Sequence, residues 1–161
     1  MVVCLGGCDV EVNRFLAQVR SAAEKAGVFA SARVAEGRLE CRAQGCASES
    51  FYRIEQADGK WWVGFVTPDR WLSESIEADL EHTGDELDDL LEEELAELGL
   101  DAALPYQHYR SEARLFTFRS PLPIDEGLDE GRAADVALKC LLAYEASFRE
   151  LGDVAGAKEE N

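Results

Sequence analysis

Arg114-Leu115-Phe116-Thr117-Phe118-Arg119, two prolines at Pro121 and Pro123, and then a long amphipathic run form the stretch around which this chain is organised. The alternation of Phe116 and Phe118 with Thr117 and Arg119 predicts a strand with one dry face and one wet face. Beyond the prolines, Ala137, Cys140, Leu141, Tyr144, Phe148 and Leu151 recur at steps of three or four, Cys140 and Leu141 being adjacent. That spacing sets them on a single helical stripe. A strand with one dry face beside a helix with one dry stripe is half of a two-layer core.

Upstream, Tyr106 to Ser111 reads as the hairpin partner of this strand. At the other end of the chain, Val12, Phe15, Leu16, Val19, Ala23 and Ala26 repeat at helical spacing between Asp9 and a stopping Gly27. The period then shortens. Val28 to Ala35, Arg38 to Ala43, Ser50 to Gln56 and Lys60 to Thr67 each read as a strand, with Glu36-Gly37 and Asp58-Gly59 as turns between them. The first strand is the weakest of the four, because Ala and Ser are poor strand formers.

Lys60 to Thr67 is unusual in being apolar on both sides. Trp61, Val63 and Phe65 face one way; Trp62, Gly64 and Val66 face the other. A sheet covered on one side only puts polar groups on its open face. The expectation is therefore an added cover over Trp62 and Val66: a further helix, a second copy of the chain, or a ligand.

Thr67-Pro68 opens a helical middle segment, with proline in a first turn where its missing N–H is harmless. Leu72, Ile76 and Leu80 form its stripe and Trp71 lies beside it. Thr83 and Glu86 fit a capping box for a second helix, residues 85–98, lined by Leu87, Leu91, Leu95 and Leu98 and closed by Gly99. Between Glu74 and Glu97 there are twelve carboxylates and no Lys or Arg. Like charges one turn apart cost a few tenths of a kcal/mol each, about 0.2–0.5, so the leucine stripe must be packed for that helix to persist.

The predicted fold class is α+β. An antiparallel sheet is flanked by an N-terminal helix, a helical middle segment and a long C-terminal helix, all in one domain over 1–161 with flexible ends at 1–8 and 152–161. The net charge of −17 disfavours nucleic acid and anionic membrane surfaces as partners and favours basic ones. No apolar run is long enough to span a bilayer. Leu5-Gly6-Gly7-Cys8 has the letters of a lipoprotein cleavage site, but only seven residues precede Cys8 and none is basic. A leader needs a basic front and about seven to fifteen apolar residues, so no lipid anchor is expected and the cytoplasm is the expected compartment.

Five cysteines, an odd set, point to reduced thiols: Cys4, Cys8, Cys41, Cys46 and Cys140. Gaps of four and five residues are too loose for a usual zinc pair, so no metal site and no cofactor is expected. Asp125, Glu126, Asp129 and Glu130 lack the ligand alternation of a calcium loop and suit a helix N-terminus instead. His82 reads as a surface residue and His108 as a packing residue. No phosphate loop, dinucleotide fingerprint, nucleophile elbow or zinc-protease motif occurs, and no catalytic residue is expected.

The order of elements resembles the type III secretion chaperone-like superfamily, in particular its YbjN-like relatives. The likeness is carried by Leu-Phe-Thr-Phe-Arg-Ser-Pro-Leu-Pro (Leu115 to Pro123), then Asp-Glu-Gly-Leu-Asp-Glu (Asp125 to Glu130), and a helix ending Tyr-Glu-Ala-Ser-Phe-Arg-Glu-Leu (Tyr144 to Leu151). It implies a bacterial, non-enzymatic homodimer that holds an extended or partly unfolded polypeptide. The residues expected to meet a partner are Trp61, Trp62, Val66, Trp71, Leu87, Leu91 and Leu95. Two other readings stand beside it: a regulatory domain recruiting a basic partner through the acidic helix, and a small-ligand or metal-binding protein using the cysteines and His108.

Overall fold

A computed structural model describes residues 9–44, 49–83, 86–111, 113–124, 128–149 and 151. Both expected flexible ends lie outside these residues, as do Cys4, Cys8, Cys46 and the acidic pair Asp125 and Glu126.

Ten elements form an α+β fold: α1 Asp9–Ala26, β1 Phe29–Ala35, β2 Arg38–Ala43, β3 Phe51–Ala57, β4 Lys60–Thr67, α2 Arg70–Thr83, α3 Leu87–Glu97, β5 Gln107–Arg110, β6 Phe116–Pro121 and α4 Glu130–Arg149. The six strands make one antiparallel sheet in the order β1-β2-β3-β4-β6-β5. The tryptophan-bearing strand β4 and the strand β6 quoted first are neighbours at its centre, with Phe65 opposite Phe118 and Val63 opposite Ser120.

Positive φ at both central residues makes Glu36-Gly37 and Asp58-Gly59 the tight hairpin turns that their sequence predicts. At Gly64 the absence of a side chain is a packing requirement, since a Cβ there would lie 2.9 Å from the Phe118 carbonyl oxygen and 3.2 Å from Arg119 Cβ. The close approach of β4 to β6 depends on it.

The core lies between the sheet's inner face and the helices. Phe15 of α1 tilts against Trp61, while Phe148 of α4 stacks on Phe65 and meets Phe118 edge-on. All six stripe residues of the last helix are buried, Ala137 through Leu151. Tyr144 Oη and Ser120 Oγ share a 2.6 Å hydrogen bond within this layer, and Ser120 also donates to the Leu104 carbonyl.

The helical middle departs from expectation at its caps. Asp69, not Pro68, opens α2: its carboxylate accepts the N–H groups of Trp71 and Leu72. The chain is still in α2 at Thr83, and the N-cap of α3 is Glu86, three residues later than expected and without a side-chain cap bond. A carboxylate already near the first turn, with Asp88 and Asp89 behind it, suits the helix dipole without a capping box.

Candidate functional site

Six of the seven residues expected to meet a partner are buried within the single chain. Trp61 belongs to the inner core, against Phe15. Leu87, Leu91 and Leu95 are fully buried where α3 packs on α4, so the leucine stripe finds its cover in the last helix of the same molecule. Trp71 alone stands out, 80% exposed near the start of α2.

Trp62 and Val66 correct the expectation of an added cover. They lie on the sheet's outer face, yet they are 5% and 3% exposed. Over Trp62 the roof is made of side chains from neighbouring strands. Arg119 of β6 lays its guanidinium 3.8 Å from the Trp62 ring centroid and 5.2 Å from that of Tyr109. Its charge is held by Asp58 and Gln107, while Trp62 Nε1–H donates to the Ala57 carbonyl at 2.7 Å. Such cation–π contacts contribute roughly 0.5–2 kcal/mol each when water is excluded. Arg119 thus offers a charged surface to water and a flat one to the indole.

The same principle covers the other half of this face. Glu40 of β2 is nearly buried and gathers Arg38, Arg53 and Arg33 at 2.9, 3.0 and 3.5 Å. Burial pushes its carboxyl upward, but the hydrogen bond from Arg38 and the three guanidinium charges outweigh it and hold the pKa below the usual carboxylate range.

One constellation escaped the sequence reading. His108 Nδ1 lies 2.9 Å from Glu77 Oε2, and His108 Nε2 lies 3.3 Å from Ser73 Oγ. Ser73 and Glu77 are one turn apart on α2, whereas His108 comes from β5. Burial lowers the pKa of His108 and the charge of Glu77 opposes that only in part, so the ring is neutral at pH 7. A carboxylate accepts only, so Nδ1 carries the proton and Nε2 accepts from the Ser73 hydroxyl. The connectivity is that of a hydrolytic triad. Its setting is not: Ser73 is 3% exposed, and the first-turn N–H groups of α2, the donors an oxyanion would need, are occupied by Asp69. The relay docks α2 onto the sheet. The packing role expected of His108 is also there, in its 3.8 Å stack on Phe118. No motif marks such a relay, because Ser and Glu one turn apart are commonplace on helices.

The thiols of Cys41 and Cys140 are free and buried, and burial pushes both up to about 12, so they act as small core residues. Asp129 caps α4 through the Arg132 N–H at 2.8 Å, the role expected of acids ahead of that helix. Glu86, Asp88 and Asp89 bring carboxylate oxygens within 4.8 Å of one another at the start of α3, where the helix dipole accounts for them.

Among the described residues, clefts open at opposite edges of the sheet. One, of about 610 Å3, runs between α1 and the end of β1, lined by Val12, Asn13, Val34, Ala35, Glu36 and Gly37. The other, of about 530 Å3, lies between the start of α2 and the β5–β6 hairpin, lined by Pro68, Arg70, Arg110, Ala113, Arg114 and Phe116. No helix among the described residues is long and apolar enough to cross a membrane. Comparison with family models, with curated proteins and with solved structures finds no match.

Proposed function

We propose that this chain is a non-enzymatic binding module that takes an extended polypeptide segment onto the free edge of β1. The carrying observation is that edge strand itself: seven residues, Phe29–Ala35, with Arg33 its only charge, beside the cleft against α1. An edge of that length and neutrality is a template for another strand. The two-residue turn at Glu36-Gly37 makes Ala35 and Arg38 a hydrogen-bonded pair. Counting back by twos, Ala32 and Val34 turn their N–H and C=O groups away from β2. Their side chains share the face of Leu39 and Cys41, towards α1, so an added strand would lay alternate side chains into the cleft. The preferred segment is apolar at every second residue.

The resemblance to the secretion chaperone-like superfamily implies the same kind of role, with a homodimer. A second copy is the competing occupant, β1 pairing with β1. Unpaired buried thiols at Cys41 and Cys140 support a reducing compartment, and we place the module in the cytoplasm. Amide exchange with an alternating valine–threonine decapeptide tests the reading. Protection centred on Ala32 and Val34, lost in Ala32→Pro, supports it; unchanged exchange at both amides sinks it. Light scattering at twice 17.8 kDa, reverting to monomer in Ala32→Pro, assigns the edge to self-pairing.

A basic partner on the acidic helix is the second reading, favoured by the exposed Glu92, Glu93 and Glu97 of α3. Binding of a polylysine peptide that survives 1 M salt would exclude it, since the Debye length is then about 3 Å.

A further inference from the structure

Between Lys60 and Arg119 the sequence holds fifteen carboxylates and only three positive side chains of the Lys or Arg type: Arg70, Arg110 and Arg114. Random placement would scatter them among the acids as solvated ion pairs. The fold instead brings all three to one cleft, from the first turn of α2, the end of β5 and the turn before β6. Among the described residues no carboxylate lines that cleft.

Among the described residues Arg110 and Arg114 form no ion pair. Arg110 has its guanidinium 5.7 Å from the Phe116 ring centroid, which restrains the side chain without neutralising it. Arg70 reaches Glu74 at 3.3 Å, but both groups are largely exposed and such a pair is readily displaced.

The backbone at Arg114 is fixed by its loop. Its φ is +64°, the left-handed region that favours glycine. The two other non-glycine residues with positive φ, Glu36 and Asp58, each precede a glycine in a two-residue hairpin turn. Arg114 closes the loop between β5 and β6, where Ser111 N–H donates to the Leu115 carbonyl at 2.8 Å, and a left-handed residue is ordinary at that position of a short hairpin loop. The conformation is enforced by a tight loop in which Arg114 N–H donates to the Ser111 carbonyl at 2.9 Å and Leu115 N–H to Ser111 Oγ at 3.2 Å. Glycine or asparagine would sit there without strain. The loop brings the Arg114 side chain to the cleft beside the two other arginines.

The geometry points to a binding site for a small multiply charged oxyanion, a phosphate or carboxylate compound, held by Arg70, Arg110 and Arg114 with an apolar portion against Pro68 and Phe116. Guanidinium groups from three separate elements offer forked donors that match such oxygens. The protein's overall negative field opposes the approach of any anion, so affinity here comes from short-range contact and not from long-range attraction. This site is at the opposite edge of the sheet from the polypeptide edge and does not depend on it.

The test is a titration of the full chain, followed by amide NMR, with pyrophosphate in one arm and citrate in the other at about 0.15 M NaCl. Saturable shifts confined to residues around Arg70, Arg110, Arg114 and Phe116 are expected. Arg114→Gly removes a cation and relieves the positive φ at once, so it should keep or raise the melting temperature while weakening binding about tenfold or more. Arg132→Ala, an exposed arginine on α4, serves as control and should leave binding unchanged. Response to pyrophosphate alone assigns the site to phosphates, response to citrate alone to carboxylates. Binding by neither anion overturns the proposal. So does an Arg114→Gly protein that binds as the parent does, or a loss of equal size in Arg132→Ala.

Discussion

The two edges of the sheet follow opposite rules. At the β1 edge the strand is seven residues long, carries one charge, and turns the backbone groups of Ala32 and Val34 outward. At the β5 edge the strand has four residues, and its side chains are tied down on both faces. His108 binds Ser73 and Glu77 of α2 on the inner face, and Tyr109 supports Arg119 on the outer one. Natural sheets guard their edges by shortening strands and placing charge beside them. Only one edge here is guarded in that way. The charge map divides along the same line: residues 9–60 hold eight basic and eight acidic side chains, whereas 61–118 hold three and fifteen. A neutral, open edge suits another backbone; a short edge beside three gathered arginines suits a compact anion.

The largest effect on this contrast is expected from Gly64→Val. The new side chain meets the Phe118 carbonyl and Arg119, so β6 and β5 must move off β4, at a cost of about 2–3 kcal/mol. Urea denaturation should show the loss, and hydrogen exchange should speed up in β5 and β6 more than in β1 and β2. Equal acceleration at both edges would mean that they share one cooperative unit. Glu40→Ala acts on the β1 side. It strands Arg38 and Arg53 without their shared carboxylate and should cost about 2 kcal/mol, less than a fully buried pair because the arginines keep some water. Since the folded carboxyl titrates below its ordinary range, its contribution is present above pH 4.5 and disappears as pH falls through the folded value. The variant should therefore show a flatter acid limb in a stability–pH profile.

Ala32→Pro should change the stability of the monomer by no more than about 1 kcal/mol, because the missing N–H faces outward from an edge strand. A loss of several times that size would show that the edge is not free. The smallest effect belongs to His108. Its folded pKa lies below 6.5, so the unfolded chain takes up the proton first, and stability declines as pH drops beneath 6.5. That decline should vanish in His108→Gln, with exchange in α2 and β5 responding and β1 indifferent. Ser73→Ala should leave the chain as unreactive towards a fluorophosphonate as the parent, since the hydroxyl is shut away in both.

Element types and order were legible because the periods are clean: the stripe of α4, the leucine stripe of α3 and the alternation in β4 and β6 lie where the sequence places them, save that Leu98 is exposed past the end of α3 and Leu151 falls beyond the end of α4. What Trp62 and Val66 meet was not legible. Two apolar faces on one strand ask for a cover, but periodicity does not tell a helix from an arginine lying flat, and Arg119 is 57 residues away from Trp62 in the chain. The leucine stripe was equally ambiguous, since Leu87, Leu91 and Leu95 fit a partner helix of either origin until α4 is seen to take them. The relay of Ser73, Glu77 and His108 and the gathering of Arg70, Arg110 and Arg114 are products of the β4–β6 pairing. Pairing of that kind joins residues some 35 to 45 positions apart and leaves no local trace.

The three indoles occupy three different environments, and light can tell them apart. Trp61 is buried against the Phe15 ring, Trp62 lies beneath a guanidinium, and Trp71 is bathed in solvent. Acrylamide or iodide in the buffer will quench the emission of Trp71 and spare the other two. Trp71 follows directly on Arg70, so a ligand settling into the adjoining cleft should alter that quenchable fraction, and occupancy can be followed without attaching any dye.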